Sequence, residues 1–262
     1  MIPPAVRELA EDPSAYAPTP PGFERVLNDR FSLLLGPFPE MTLAQRLRLD
    51  PEDVDATVAE VRELAGEHGR DYVTWWVTDS TTPADLEPRL LDLGMEPAAM
   101  PLNEPTYEAM ALTHAPEGAA AGVEARLAAD LDEFTVANEL AWESFGLTDE
   151  QRALQRDLLP IAYELHRDGL ASRYLCFLEG EPVASALAVF ADAAVMLLGG
   201  AVLPEARGRG CYGALVRARW DDGVTRGTPA LVVQAGAMSQ PILARLGFER
   251  VATMCVLVDR FC

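Results

Sequence analysis

The chain has no lysine. Its 21 basic residues are all arginine and stand against 41 acidic ones, leaving a formal net charge of −20. So large an excess of negative charge speaks against nucleic acid, whose phosphates need a basic surface, and raises the local concentration of small cations; it also serves solubility. Histidine is scarce, with His68, His114 and His166 far apart in sequence. Four cysteines, Cys176, Cys211, Cys255 and Cys262, form no C-x-x-C pair, so neither a zinc site nor a disulfide framework is expected and no metal is assigned. They read as reduced, mostly buried, small apolar residues. No apolar run approaches the roughly 18 residues of a membrane span. Met1-Ile2-Pro3-Pro4 lacks the basic-then-apolar order of a signal peptide. These absences predict a cytoplasmic protein without a membrane or nucleic-acid partner. Its 262 residues, 49% of them hydrophobic, suffice for one large or two small domains.

What is present concentrates in one stretch, Val202 to Val216. The apolar run Val195 to Ala201 before it reads as a buried strand, and Val216, Trp220 and Val224 at i, i+4 and i+8 read as a helix after it. Between them stand Gly208, Gly210 and Gly213. A glycine turn that leads from a strand into a helix points successive N–H groups, and the positive end of the helix dipole, at a ligand. Such a turn also serves as a mere tight connection. Charge favours the ligand: residues 201–220 hold four arginines and one glutamate, in a chain whose first 120 residues carry 8 arginines against 22 acids. The expected ligand is an anion, most often a phosphate.

The rest of the chain alternates strands and helices. Residues 1–21, rich in proline, read as an irregular lead-in. Phe23 to Leu27 and Arg30 to Leu35 read as strands, followed by a break at Gly36-Pro37-Phe38-Pro39. Asp50-Pro51 predicts a helix start, with Val54, Val58, Val61 and Leu64 on one face up to Gly66. A strand at Tyr72 to Val77 and a helix at Pro83 to Leu93, ended by Gly94, come next. His114 to Gly122 resembles a linker and sets the domain boundary, with domains expected over 1–115 and 122–262. Beyond it, Val123 to Leu127 reads as a strand, and Asp130 and Thr148 each open a helix with a cap-x-x-Glu/Gln pattern. The second of these helices has Leu154, Leu158, Ile161 and Leu165 in phase. Strands follow at Arg173 to Leu178, Val183 to Phe190 and Val195 to Val202. After the glycine turn and its helix come a strand at Ala230 to Gln234, a helix at Ser239 to Arg245, the break Leu246-Gly247-Phe248 and a strand at Val251 to Val258.

This order, with Arg207-Gly208-Arg209-Gly210 entering the helix and Leu246-Gly247-Phe248 after the next one, resembles the Gcn5-related N-acetyltransferase (GNAT) superfamily over residues 122–262. Arg207-x-x-Gly210 fills the first part of its Q/R-x-x-G-x-G/A signature. Tyr212 stands where the family has Gly or Ala, and Gly213 follows it. The resemblance implies a mixed α/β fold with a central mixed sheet and flanking helices, and acetyl-CoA as cofactor. It also implies a loop of Val202, Arg207, Gly208, Arg209, Gly210, Cys211, Tyr212 and Gly213 on the cofactor's pyrophosphate, and N-acetylation of a small amine. The charge balance makes that amine a cationic one. A homodimer is compatible with the sequence. The alternative is an acyl-CoA-binding protein without turnover. Leu90-x-x-Leu93-Gly94-Met95-Glu96 repeats Leu243-x-x-Leu246-Gly247-Phe248-Glu249, which marks the first half as a degenerate, tandem GNAT-like module, although two helix C-caps can coincide by chance. Pro37 to Met41 is taken as its counterpart of the glycine turn. That segment has neither a glycine pair nor arginines.

Acetyl transfer needs a polarised carbonyl, a neutral amine and a proton for the leaving thiolate. The resemblance puts the carbonyl's N–H donors near Gly200, Ala201 and Val202. Gly199-Gly200 marks either a bulge or close packing against a large neighbour such as Trp220. The family's acidic Tyr falls on Leu243 and its Asn on Gly236, so the remaining acids are Ser239, Tyr212 or water; Ser239 also suits the N-cap of its own helix. For the base, Glu143 and Asp149 are candidates, with Trp142 and Phe145 lining the cleft, although such charges often form a solvated face.

Overall fold

The computed structural model describes residues 1–20, 22–100, 103–116 and 122–261. Cys262 and the centre of the expected linker, 117–121, lie outside the described residues. The lead-in is not irregular: it holds two short helices, α1 (Pro4–Glu11) and α2 (Pro13–Tyr16). Each begins with its proline at the first helical position, where the missing N–H has no partner to lose. Then come β1 (Glu24–Leu27), β2 (Ser32–Leu35), β3 (Thr42–Gln45), α3 (Val54–Glu67), β4 (Tyr72–Thr78), α4 (Leu86–Asp92), β5 (Glu96–Pro97) and β6 (Thr106–Leu112). The second half runs β7 (Val123–Leu127), α5 (Leu131–Ser144), α6 (Asp149–Arg167), β8 (Ala171–Leu178), β9 (Glu181–Phe190), β10 (Val195–Val202), α7 (Cys211–Thr225), β11 (Leu231–Ala235), α8 (Gln240–Arg245) and β12 (Glu249–Arg260).

The chain divides into two compact units, Met1–Ala111 with Gln234–Cys262, and Leu112–Val233. The boundary near 111 sits close to the expected linker. In this division α8 and β12 group with the first unit. There the strands pair in the order β1-β2-β3-β4-β12-β6, with β3 and β4 parallel and the other neighbours antiparallel. The cause is a non-local register, from Met254 opposite Thr78 to Arg260 opposite Tyr72. It carries Leu257 into the core formed by Phe31, Leu33, Val58, Val61, Trp75 and Leu90. It also sets the buried Asp259 carboxylate against Arg62 in a two-point contact at 2.8 and 2.9 Å.

Two further readings change in this unit. The helix expected from Asp50-Pro51 begins at Val54, after a turn. Pro37 to Met41 joins β2 to β3, an antiparallel pair. The connection that leads from a strand through a helix into a parallel neighbour is instead 46–53, between β3 and α3. It has no glycine and places Asp50, Glu52 and Asp53 at the helix start, where their charge repels an anion. Its two arginines are already engaged: Arg48 pairs with buried Asp12 at 3.1 Å, and Arg46 donates to the carbonyl of Asn28 at 2.8 Å.

In the second unit β7, β8, β9 and β10 form an antiparallel ladder, and β11 joins β10 in parallel. Successive residues of a strand face opposite sides. Arg173 of β8 reaches Asn138 of α5, and Tyr174 reaches Asp222 of α7, so these helices cover opposite faces of the sheet. Both N-caps form. The Asp130 carboxylate accepts from Glu133 N at 2.9 Å, and Thr148 with Gln151 makes both bonds of a capping box. The apolar stripe of α6 stays largely outside, with Leu154 and Ile161 exposed; only His166 of this helix is buried. The two L-x-x-L-G ends close alike. Gly94 and Gly247 have φ of 90° and 93°, Met95 N donates to Leu90 O, and Phe248 N donates to Leu243 O, both at 3.1 Å.

Glu133 does not return its carboxylate to Asp130 as a full box would. Arg126 holds it through two bonds, at 2.6 and 2.7 Å, and Ala129 N donates to it at 2.8 Å. Arg126 first, then that N–H, lower its pKa from 4.5 to about 2. A carboxyl depressed in the folded state adds stability above its unfolded pKa, which is lost as pH falls towards the folded value. Glu133→Gln is therefore expected to lower the melting temperature at pH 7 and to match the parent chain near pH 2, read from thermal melts across that range.

Candidate functional site

The site is built on β10 and the turn after it. Opposite β9, the register runs from Leu198–Leu187 to Ala201–Ser185, so β10 carries one extra residue there. Gly199, with φ of 52°, and Gly200 form this bulge. Close packing is present as well, and the neighbour is Tyr212 rather than Trp220: a Cβ on Gly200 would stand 2.8 Å from Tyr212 Cε2. On its other side β10 pairs with β11 only at Val195–Leu231 and Met196–Val232; Leu197 and Val233, next in register, are not paired. The two strands part beyond that point.

Pro204–Ala206 forms a single 3-10 turn after β10. Gly208 and Gly210 then take φ of 75° and 88°, the left-handed region that glycine adopts without strain. Gly210 is the N-cap of α7, and Ala214 N is the first to donate back, to Gly210 O at 3.0 Å. The N–H groups of Cys211, Tyr212 and Gly213 belong to the first turn of a 15-residue helix, which has no intrahelical acceptor. Nothing lies within 4 Å of a Cβ built on Gly208. The Arg207 and Arg209 side chains are exposed; Arg207 Nε donates to Val202 O at 3.3 Å, and Arg209 meets the exposed Glu179 at 3.1 Å. Loop amides, helix end and two lightly held guanidinium groups thus gather on one turn. Cys211 is buried in it, against Cys176 of β8, whose thiol burial pushes up.

Tyr212 turns its half-buried ring towards β10, and burial raises its pKa, so the phenol keeps its proton at neutral pH. Gly200→Ala forces that ring to move. The expected loss is about 1–3 kcal/mol, and it shrinks when Tyr212→Ala is present, a coupling that a double-mutant cycle of thermal melts measures.

Arg219, fully buried on α7, donates to Leu215 O at 2.9 Å and to Leu187 O, beside the bulge, at 3.1 Å. It satisfies a carbonyl where the ladder is interrupted, which makes it a structural group. His166 is structural too. Its Nε2 bonds Ala128 O at 2.9 Å, its Nδ1 takes the Arg173 N–H at 3.2 Å, and burial lowers its pKa, so it stays neutral.

Of the catalytic candidates, Tyr212 lies on the turn itself. Ser239 belongs to the first unit. It occupies the N-cap position of α8 but makes no capping bond; its Oγ donates to Gly236 O at 3.3 Å. Leu243 is completely buried. Glu143 and Asp149 are exposed; Trp142 is buried beneath the Arg156 guanidinium, and Phe145 is exposed. Four groups escaped sequence reasoning: Glu104, Tyr107, Arg173 and Asn138. Glu104 accepts from Ala237 N at 2.8 Å, its own N–H donates to Tyr107 Oη at 3.1 Å, and its carboxylate occupies the space of a Cβ on Gly236. Arg173 gave one signal, a charged residue at the head of the apolar run Tyr174 to Leu178.

No family model matches the chain, and no curated protein does. Solved structures do. A GCN5-related N-acetyltransferase from Kribbella flavida matches with a TM-score of 0.68 at 19% identity, over 97% of this chain and 93% of that one. A tandem GNAT protein from the clavulanic acid biosynthesis pathway matches at 0.63 and 17%, over 98% and 88%. A GCN5-related N-acetyltransferase from Sphaerobacter thermophilus matches at 0.61 and 16%, over 90% and 82%. At these identities the likeness establishes the fold, a mixed α/β GNAT fold with a central mixed sheet and flanking helices. Among the described residues no helix is long and apolar enough to cross a membrane, and no three His, Cys, Asp or Glu side chains group as metal ligands.

Proposed function

We propose that this chain is a tandem GNAT-like acetyltransferase whose C-terminal module binds acetyl-CoA and transfers its acetyl group to a small amine. The observation that carries the reading is the turn from Arg207 to Gly213: two glycines at positive φ, free helix-start N–H groups and two exposed arginines, placed where β10 parts from β11. The open space over Gly208 fits a ligand that comes close to the backbone. Val202, Arg207, Gly208, Arg209, Gly210, Cys211, Tyr212 and Gly213 would hold the pyrophosphate. The bound cofactor supplies an activated acetyl thioester. The N–H groups around Gly200, Ala201 and Val202 orient the carbonyl, and the protonated Tyr212 Oη is the retained acid candidate. Positioning alone supplies much of the acceleration when the amine arrives neutral, so a dedicated base is not required.

The tandem reading draws support from a shared unit. In both halves a strand, a helix and a second strand end in a parallel pairing of two residue pairs, Leu43–Thr74 with Ala44–Trp75, and Val195–Leu231 with Met196–Val232. The first half places carboxylates at its helix start, so it is proposed not to bind CoA. A second reading, an acyl-CoA binder without turnover, is favoured by the buried Leu243 in place of a proton donor. CoA release with a panel of amines separates the two. Release above the amine-free rate supports the enzyme; saturable acetyl-CoA binding with no release from any amine supports the binder.

A further inference from the structure

Arg173 is the third residue of β8. Its Cα is opposite Leu187, which is opposite Leu198 just before the bulge, so the three side chains share the face covered by α5. Its Nη2 donates to Asn138 Oδ1 at 2.8 Å. Asn138 is buried, and its Nδ2 donates to Phe134 O at 2.7 Å, which fixes Oδ1 towards the arginine. The rest of the guanidinium is unused. Nε is buried without a hydrogen-bond partner, and Nη1 has none among the described residues, although it lies 3.7 Å from where a Cβ on Gly199 would be. Because Gly199 has no Cβ, the bulge leaves room beside Nη1.

Among the described residues no carboxylate offsets this cation. Burial first, then the like charge of Arg219, push its pKa down to about 10. Arg62 has Asp259 and Arg48 has Asp12; Arg219 also lacks a carboxylate and leaves Nη2 unbonded, but it donates to two backbone carbonyls where Arg173 has one side-chain acceptor. A half-buried cation with its Nε sealed off and one neutral acceptor is poorly compensated unless a ligand completes it. The residues that follow Gly199 on β10 are those proposed to orient the thioester carbonyl.

We infer that Arg173, positioned by Asn138, receives a carboxylate of the acceptor, which is therefore an amine that also bears a carboxylate, as an amino acid does. The inference rests on the acetyltransferase reading. The amine nitrogen forms the new N–C bond, the C–S bond breaks, the amine proton leaves with the CoA thiol, and the carboxylate stays unchanged on Arg173. Such an acceptor carries both charges and no net charge, so the −20 field of the protein does not oppose its approach as it would that of a plain anion.

The test pairs amino acids with their carboxamides as acceptors of the full-length chain, with CoA release as the readout. The acids are expected to be favoured by about ten- to a hundredfold in kcat/KM, as for a hydrogen bond to a charged group. In Arg173→Met the two members of each pair should be accepted equally, with acetyl-CoA binding unchanged. Equal use of both by the parent chain, or a preference that survives Arg173→Met, would overturn the inference. If Arg173→Met does not fold, Arg173→Lys is expected to weaken the preference. A second arm needs no turnover: the Nε–H resonance of Arg173 is followed by NMR during titration with N-acetylglycine and with N-acetylglycinamide. Only the carboxylate is expected to shift it. No shift with N-acetylglycine at millimolar concentration sinks the inference, whereas absent CoA release with a normal shift sinks only the enzymatic reading.

Discussion

Leu257→Asp is expected to unfold the first unit while leaving the ladder of the second largely protected. Leu257 is 1% exposed, stands opposite Trp75 and packs in the core of that unit. Truncating a buried leucine costs about 2–5 kcal/mol, and burying an unpaired carboxylate in its place adds several more, comparable with the whole stability of a typical domain, about 5–15 kcal/mol. Hydrogen exchange resolves where the loss falls. Amides of β2, β3 and β4 should exchange at least tenfold faster, with β8, β9 and β10 changing much less. Loss of protection confined to β8, β9 and β10 would mean that β12 serves the second unit, against the register described above.

Arg207→Ala combined with Arg209→Ala should weaken acetyl-CoA binding by about ten- to a hundredfold, the scale of charge-assisted hydrogen bonds at a partly exposed site. Folding should hardly notice. Arg209 and Glu179 are 51% and 77% exposed, and pairs of that kind contribute about 0–1 kcal/mol. Arg207 makes one long bond to Val202 O. Calorimetric titration gives the affinity and a thermal melt the stability. A large drop in melting temperature with unchanged affinity would assign these arginines to the scaffold instead.

Local chemistry was legible in the sequence and non-local pairing was not. The capping devices at Asp130 and Thr148, the glycine stops at Gly94 and Gly247, the glycine turn and the strands of the second unit depend on near neighbours, and each formed where expected. The helices at Pro4 and Pro13 were hidden because proline density reads as a break, although a helix tolerates proline at its first position. The placement of α8 and β12 depends on a register with β4 from a segment well over a hundred residues away, which no local pattern encodes. The candidate site divides in the same way. Gly208 and Gly210 announce themselves by residue type, and the Gly199-Gly200 pair announces the bulge. Arg173 matters because of what is missing around it, a carboxylate, and that shows only once α5 and β10 are packed on β8.

The most direct test of the account is a calorimetric titration of the folded chain with acetyl-CoA. The account predicts saturable one-site binding with a dissociation constant below about 1 mM, within the usual range for enzyme substrates, and a loss of affinity in the Arg207→Ala, Arg209→Ala chain. No binding heat at millimolar acetyl-CoA from protein shown to be folded, confirmed by an unshifted melting temperature, would contradict it.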